Sequence, residues 1–134
     1  TSGRAYPGLG GTNYSFGTVD TVAPQITSYL PAQGAVNQPK SSSIVLTFDE
    51  HIQAGSAGEI VLTPSNGNHT AQSNGGTISI AVNDSAQVVF GTSGGNGVLT
   101  VSPKLGLSSI GVQYSVSIAS GVLQDKADTA NGFT

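Results

Sequence analysis

The chain of 134 residues contains no cysteine, no methionine and no tryptophan, and only 8% of it is charged. Without cysteine there is no disulfide framework and no thiolate metal centre, and the compartment's redox state is left open. Only four basic residues, Arg4, Lys40, Lys104 and Lys126, stand against seven acidic ones, for a net charge of −3. That balance argues against nucleic acid and against an anionic membrane surface as partners. No apolar run approaches the ~20 residues of a bilayer-spanning helix, so no membrane insertion is expected. The chain opens at Thr1 with neither Met nor a signal-peptide pattern, and is expected to be a processed or excised piece. What is present points one way. Hydrophobic residues make up 37% of the chain, in repeated β-branched runs punctuated by 19 glycines, which favours a folded all-β domain over disorder.

The alternation of side chains places the strands. In SIVLTF, Ile44, Leu46 and Phe48 alternate with Ser43, Val45 and Thr47, the period of a half-buried strand. EIVLT turns Ile60 and Leu62 inward, and TISIAV does the same with Ile78, Ile80 and Val82. VLTV contributes Leu99 and Val101, and VQYSVSIA contributes Val112, Tyr114, Val116 and Ile118. QITSYL precedes them, and AQVVF lies between. The segments DEHIQAGSAG and PSNGNHTAQSNGG read as polar loops, and SGGNG as a turn. At the front, TNYSFGTV sets Tyr14 and Phe16 on one face and Asn13 and Ser15 on the other. Seven to eight short antiparallel strands at this spacing predict a two-sheet sandwich. The expected core is Ile44, Leu46, Phe48, Ile60, Leu62, Ile78, Ile80, Leu99, Val101, Tyr114, Val116 and Ile118.

Residues 20–50, DTVAPQITSYLPAQGAVNQPKSSSIVLTFDE, carry a D-x-x-A-P opening, an S-x-x-P-x-x-G-A-x-x-x-P corner and an I-x-x-x-F-x-E ending. Further on, VLTVSPKLGLSSIGVQYSVSIASGVLQD continues the pattern with a P-x-x-x-L run and a Y-x-V-x-I-x-x-G strand. Together these resemble the bacterial-type Ig-like repeat domain of S-layer proteins, adhesins and other tandem-repeat surface proteins. The resemblance covers roughly residues 19–131. It implies an Ig-like sandwich, an extracellular or cell-surface location, and a module without a chemistry of its own. It also implies a last strand of T-x-Y-x-F type after Asp125, where only KADTANGFT follows. Such a strand stands instead at the other end, in residues 10–19. The expected organisation is therefore an N-terminal extension, residues 1–19, holding the last strand of a preceding unit. An Ig-like sandwich lacking its own last strand would follow in residues 20–134.

The catalytic inventory is thin. His51 and His69 fall in different loops with no second ligand at metal spacing, and solvated histidines are the simpler reading. There is no G-x-S-x-G elbow, no glycine pattern opening a helix, and no carboxylate pair on facing rigid elements. An enzyme is not expected. In an Ig-like sandwich, however, Asp20, Asp49, Glu50, Asp125 and Asp128 would gather at one pole, and clustered oxygen ligands suit calcium. The bland alternative is a solvated acidic rim. Three N-x-S/T sequons mark Asn13, Asn68 and Asn83 as candidate glycosylation sites, although a Ser/Thr-rich chain produces such triplets by chance.

The leading expectation is a structural subunit or repeat of an extracellular filament, appendage or surface layer. Its partners would be copies of itself or adjacent Ig-like repeats, assembled head-to-tail. Thr12, Tyr14, Phe16 and Thr18 would form the strand donated to the neighbour. Folding that strand back antiparallel into its own domain would mean crossing roughly 25 Å of sandwich. The six-residue linker 19–24 reaches at most ~20 Å. The alternative is an adhesion module for glycan or protein ligands; most Tyr and Phe fall on inward positions, and Tyr6 and Tyr29 are the exceptions to check for it.

Overall fold

The computed structural model describes residues 18–65, 77–104, 106–107, 113–127 and 130–134. Nine strands follow one another in these residues: β1 (Ile26–Leu30), β2 (Ile44–Phe48), β3 (Ile52–Ala54), β4 (Glu59–Pro64), β5 (Ile78–Ala81), β6 (Val88–Ser93), β7 (Asn96–Val101), β8 (Tyr114–Ile118) and β9 (Leu123–Asp125). One sheet has the order β1-β2-β7-β6, a second β5-β4-β8, and β3 pairs with β9. Every strand pair is antiparallel. The fold is the expected all-β, Ig-like sandwich.

The count of nine, against seven to eight expected, comes from β3 and β9. Ile52↔Asp125 and Ala54↔Leu123 are partners in one ladder, and Ile60↔Ile118 through Pro64↔Tyr114 in the next. Gly55 N donates to Val122 O (2.7 Å) where the two ladders meet. They are two arms of one bent ribbon. The segment DEHIQAGSAG is therefore not wholly loop. Its one large apolar residue, Ile52, is buried and Ala54 packs beside the core, but one large side chain and a small alanine give too short a period to read.

The core lies between the sheets. β2 alternates buried and half-buried along its length, and Phe48, Ile60, Leu62, Leu99 and Val101 have no accessible surface. Each large aliphatic or aromatic side chain so buried contributes ~1.5–3 kcal/mol. The β6–β7 hairpin turns on Gly94 and Gly95, both with positive φ (58° and 90°), the two-residue geometry whose twist matches the flanking strands. Nine of the twelve expected core residues are buried. The three on β8 are not. Tyr114 and Ile118 are half-buried and Val116 is 40% exposed. Alternation placed them on the correct face, but only Tyr114 and Ile118 pack against the core cluster, and the face is incompletely covered at Val116. Among the described residues, no helix is long and apolar enough to cross a membrane.

Candidate functional site

Two features stand out, an open strand edge and an acidic pole. β8 ends the sheet β5-β4-β8, and no further strand follows it among the described residues. Its Tyr114, Val116 and Ile118 are the register partners of Pro64, Leu62 and Ile60, which are all buried. Directly opposed residues share a sheet face, so the β8 trio looks into the sandwich. The exposure of Val116 therefore marks a gap in the wall, not an outward side chain. Higher up, the same wall is closed. Phe133 N donates to Leu123 O (2.8 Å), Gly121 N to Phe133 O (3.0 Å) and Asp125 N to Asn131 O (3.0 Å), laying residues 131–133 antiparallel along β9. Phe133 meets Phe48 edge-on, ring centroids 5.7 Å apart. Among the described residues, the edge is covered beside β9, and no strand lies beyond β8.

The acidic pole lies at the end of β9. Carboxylate oxygens of Asp20, Glu50 and Asp125 all lie within 4.8 Å of one another. Asp125 has no accessible surface and is held from three sides. Its Oδ1 accepts from Asn131 N (2.8 Å) and Ala127 N (3.1 Å), and its Oδ2 from Asn131 Nδ2 (2.7 Å). Burial pushes this carboxyl up, but the Asn131 and Ala127 donors outweigh it and hold it below the ordinary aspartate value. Asn131 Nδ2 also donates to the Asp20 carbonyl (2.9 Å), tying the incoming linker to the far end of the chain. Asp20 Oδ1 accepts from Val22 N (2.9 Å).

Glu50 carries the cost of this crowding. Burial, then the charges of Asp20, Asp125 and Asp49, push its pKa up. Asp49 belongs to a separate clip: its Oδ1 accepts from Gln25 N (2.8 Å), and its own N–H donates to Gln25 O (3.0 Å), fixing the start of β1. The loop bearing Glu50 is held by Gly97 N donating to Glu50 O (2.8 Å). A Cβ at Gly97 would lie 2.5 Å from that oxygen and 2.7 Å from Ile52 Cγ1. Chemically, the three converging carboxylates could offer oxygens to a hard cation, although most of Asp125's lone pairs are already taken.

Of the other singled-out residues, His51 and Asn83 are exposed, Asn83 in the turn between β5 and β6. Tyr29 is 44% exposed on β1. Thr18 is exposed at the start of the linker. Tyr6, Thr12, Asn13, Tyr14, Phe16, Asn68, His69 and Asp128 lie outside the described residues. Sequence reasoning missed Asn131, which organises the pole. An Asn-Gly pair near a chain end reads only as a turn.

A two-sheet antiparallel sandwich with irregular polar loops at its poles is the architecture of an Ig-like module. The chain belongs to the bacterial Ig-like domain family, whose model matches residues 20–134. No curated protein and no solved structure matches it significantly. Domains of this family occur in bacterial surface proteins.

Proposed function

We propose that this chain is a non-catalytic structural subunit or repeat of an extracellular filament, appendage or surface layer. It assembles head-to-tail by donating residues 12–18 to the β8 edge of a neighbouring Ig-like domain. The observation that carries the reading is the inward but 40% exposed Val116 on a strand that ends its sheet. A sheet-edge strand whose inward Val116 is 40% exposed favours strand addition, with Tyr14 and Phe16 supplying apolar side chains.

Strand polarity favours a neighbour as donor. Asp20 is tied to Asn131, beside the end of β9, so the linker enters at the pole toward which β8 and β9 run. Residues 12–18 folded back from that point would run parallel to β8. A strand from a neighbouring copy is free to run antiparallel, like every other pair in the sandwich and like residues 131–133 on β9. Antiparallel pairing is also slightly the more stable per residue.

The test uses the full chain with Tyr14→Asp and Phe16→Asp. Assembly, followed by sedimentation, should be lost, and a peptide of residues 8–19 should bind the variant and protect β8 amides from hydrogen exchange. Assembly undiminished in the variant would sink the proposal. Calcium between Asp20, Glu50 and Asp125 is a subsidiary part of it, favoured by their 4.8 Å grouping. Chelation should then lower the melting temperature of the wild-type chain but not of Glu50→Gln.

A further inference from the structure

We infer that neighbouring copies also meet end to end, the acidic pole of one docking on a lysine-bearing, partly apolar pole of the next. This contact rests on strand donation as its starting point and adds a surface to it.

The chain itself forces the two ends together. A strand running antiparallel to β8 finishes where β8 begins, at the pole opposite Asp125. That pole is formed by the loop joining β1 to β2 and the turn after β7, linked by Leu107 N donating to Lys40 O (2.7 Å). Thr18 would end there. Only Val19 separates Thr18 from Asp20, whose carbonyl is fixed to Asn131 of its own sandwich (2.9 Å). Two residues of extended chain span about 7 Å. The last donated residue and the acidic pole behind it are thus a few ångströms apart, and the two sandwiches cannot avoid contact.

The surfaces brought together match. The pole at the start of β8 exposes Lys40 and Lys104, and beside them Leu30 (63% exposed) and Val36 (73%). The pole facing it carries Asp20, Asp49, Glu50 and Asp125, and the linker residues Val19 (77% exposed) and Val22 (61%). Charges of the other sign also occur, Lys126 beside Asp125 at the acidic end, and Asp84 near Lys104 with Glu59 paired to the neighbouring Ala81 at the other, so the match rests on Lys40 and Lys104 themselves. Opposite charges steer the ends together, and burial of the four exposed apolar side chains holds them. The neighbour's lysines would also relieve the repulsion around Glu50.

The experiment separates this contact from strand donation. Lys40→Glu with Lys104→Glu alters only exposed side chains, and an unchanged melting temperature verifies the fold. Introduced into the full chain, the pair should raise the concentration at half-assembly about tenfold at low salt and less at high salt. Glu50→Lys added to the same chain should recover part of that loss. Introduced into the Tyr14→Asp/Phe16→Asp chain, the lysine reversals should leave affinity for the 8–19 peptide unchanged, because the peptide brings a strand but no pole. Normal assembly of the lysine variant, or no recovery with Glu50→Lys, overturns the end-to-end contact while donation stands. Failure of the peptide to bind overturns donation, and the contact with it.

Discussion

β2 and β8 read almost alike: IVLTF and YSVSI each put large apolar residues at alternate positions. Their fates differ completely. Ile44, Leu46 and Phe48 are buried, whereas along β8 Tyr114 and Ile118 are half-buried and Val116 is 40% exposed. The difference lies in the neighbours. Among the described residues, β2 sits between β1 and β7, whereas β8 pairs with β4 alone. Period-2 patterning decides which way a side chain points, while burial depends on what lies beside the strand.

The largest effect should come from breaking the closed side. Phe48→Ala removes a fully buried ring and its contact with Phe133, and should cost about 3–5 kcal/mol in denaturant unfolding. Val116→Ala, the matching change on the open side, should cost less than about 1 kcal/mol in the unassembled chain. Equal costs for the two would mean that β8 is covered in solution.

Asp125→Asn comes next. The amide offers donors where Asn131 and Ala127 already donate, and should cost about 2 kcal/mol. Because the folded-state pKa of Asp125 lies below its unfolded value, its stabilisation is present above the ordinary aspartate range. It is lost as pH falls through the lowered folded value. The variant should therefore lose less stability on acidification than the wild type, as read from melting temperatures between neutral pH and pH 3.

Gly97→Ala probes the loop that carries Glu50. Its Cβ would press on Glu50 O and Ile52, and overpacking of this kind costs about 1–3 kcal/mol. Gly91→Ala on neighbouring β6, where nothing lies within 4 Å of the new carbon, is the control and should be close to neutral. The smallest effect is expected at Glu50→Gln, and its sign is opposite. A carboxyl with a raised folded pKa contributes stability at low pH that is lost as pH rises through that value. With chelator present, so that no cation offsets the repulsion, neutralising it should raise the melting temperature slightly at neutral pH and leave it unchanged at acid pH.

Most of the fold was legible in the chain. Ile44, Leu46, Phe48, Ile60, Leu62, Ile78, Ile80, Leu99 and Val101 could be placed in the core because a strand's side chains alternate whatever surrounds it. The gathering of Asp20, Glu50 and Asp125 was legible through the resemblance to Ig-like repeats, since topology fixes which loops share a pole. Other features required the folded molecule. Ile52 is the one large apolar residue in a stretch otherwise polar or small, and only pairing of β3 with β9 makes it core. Asn131 acts through its amide on two segments far apart in the chain, Asp20 and Asp125, and no local pattern encodes that. The exposure of Val116 depends on its place in β8, the last strand of its sheet among the described residues. Alternation is a property of the backbone and survives in the sequence; contact and burial are properties of the space between elements, which tertiary structure alone decides.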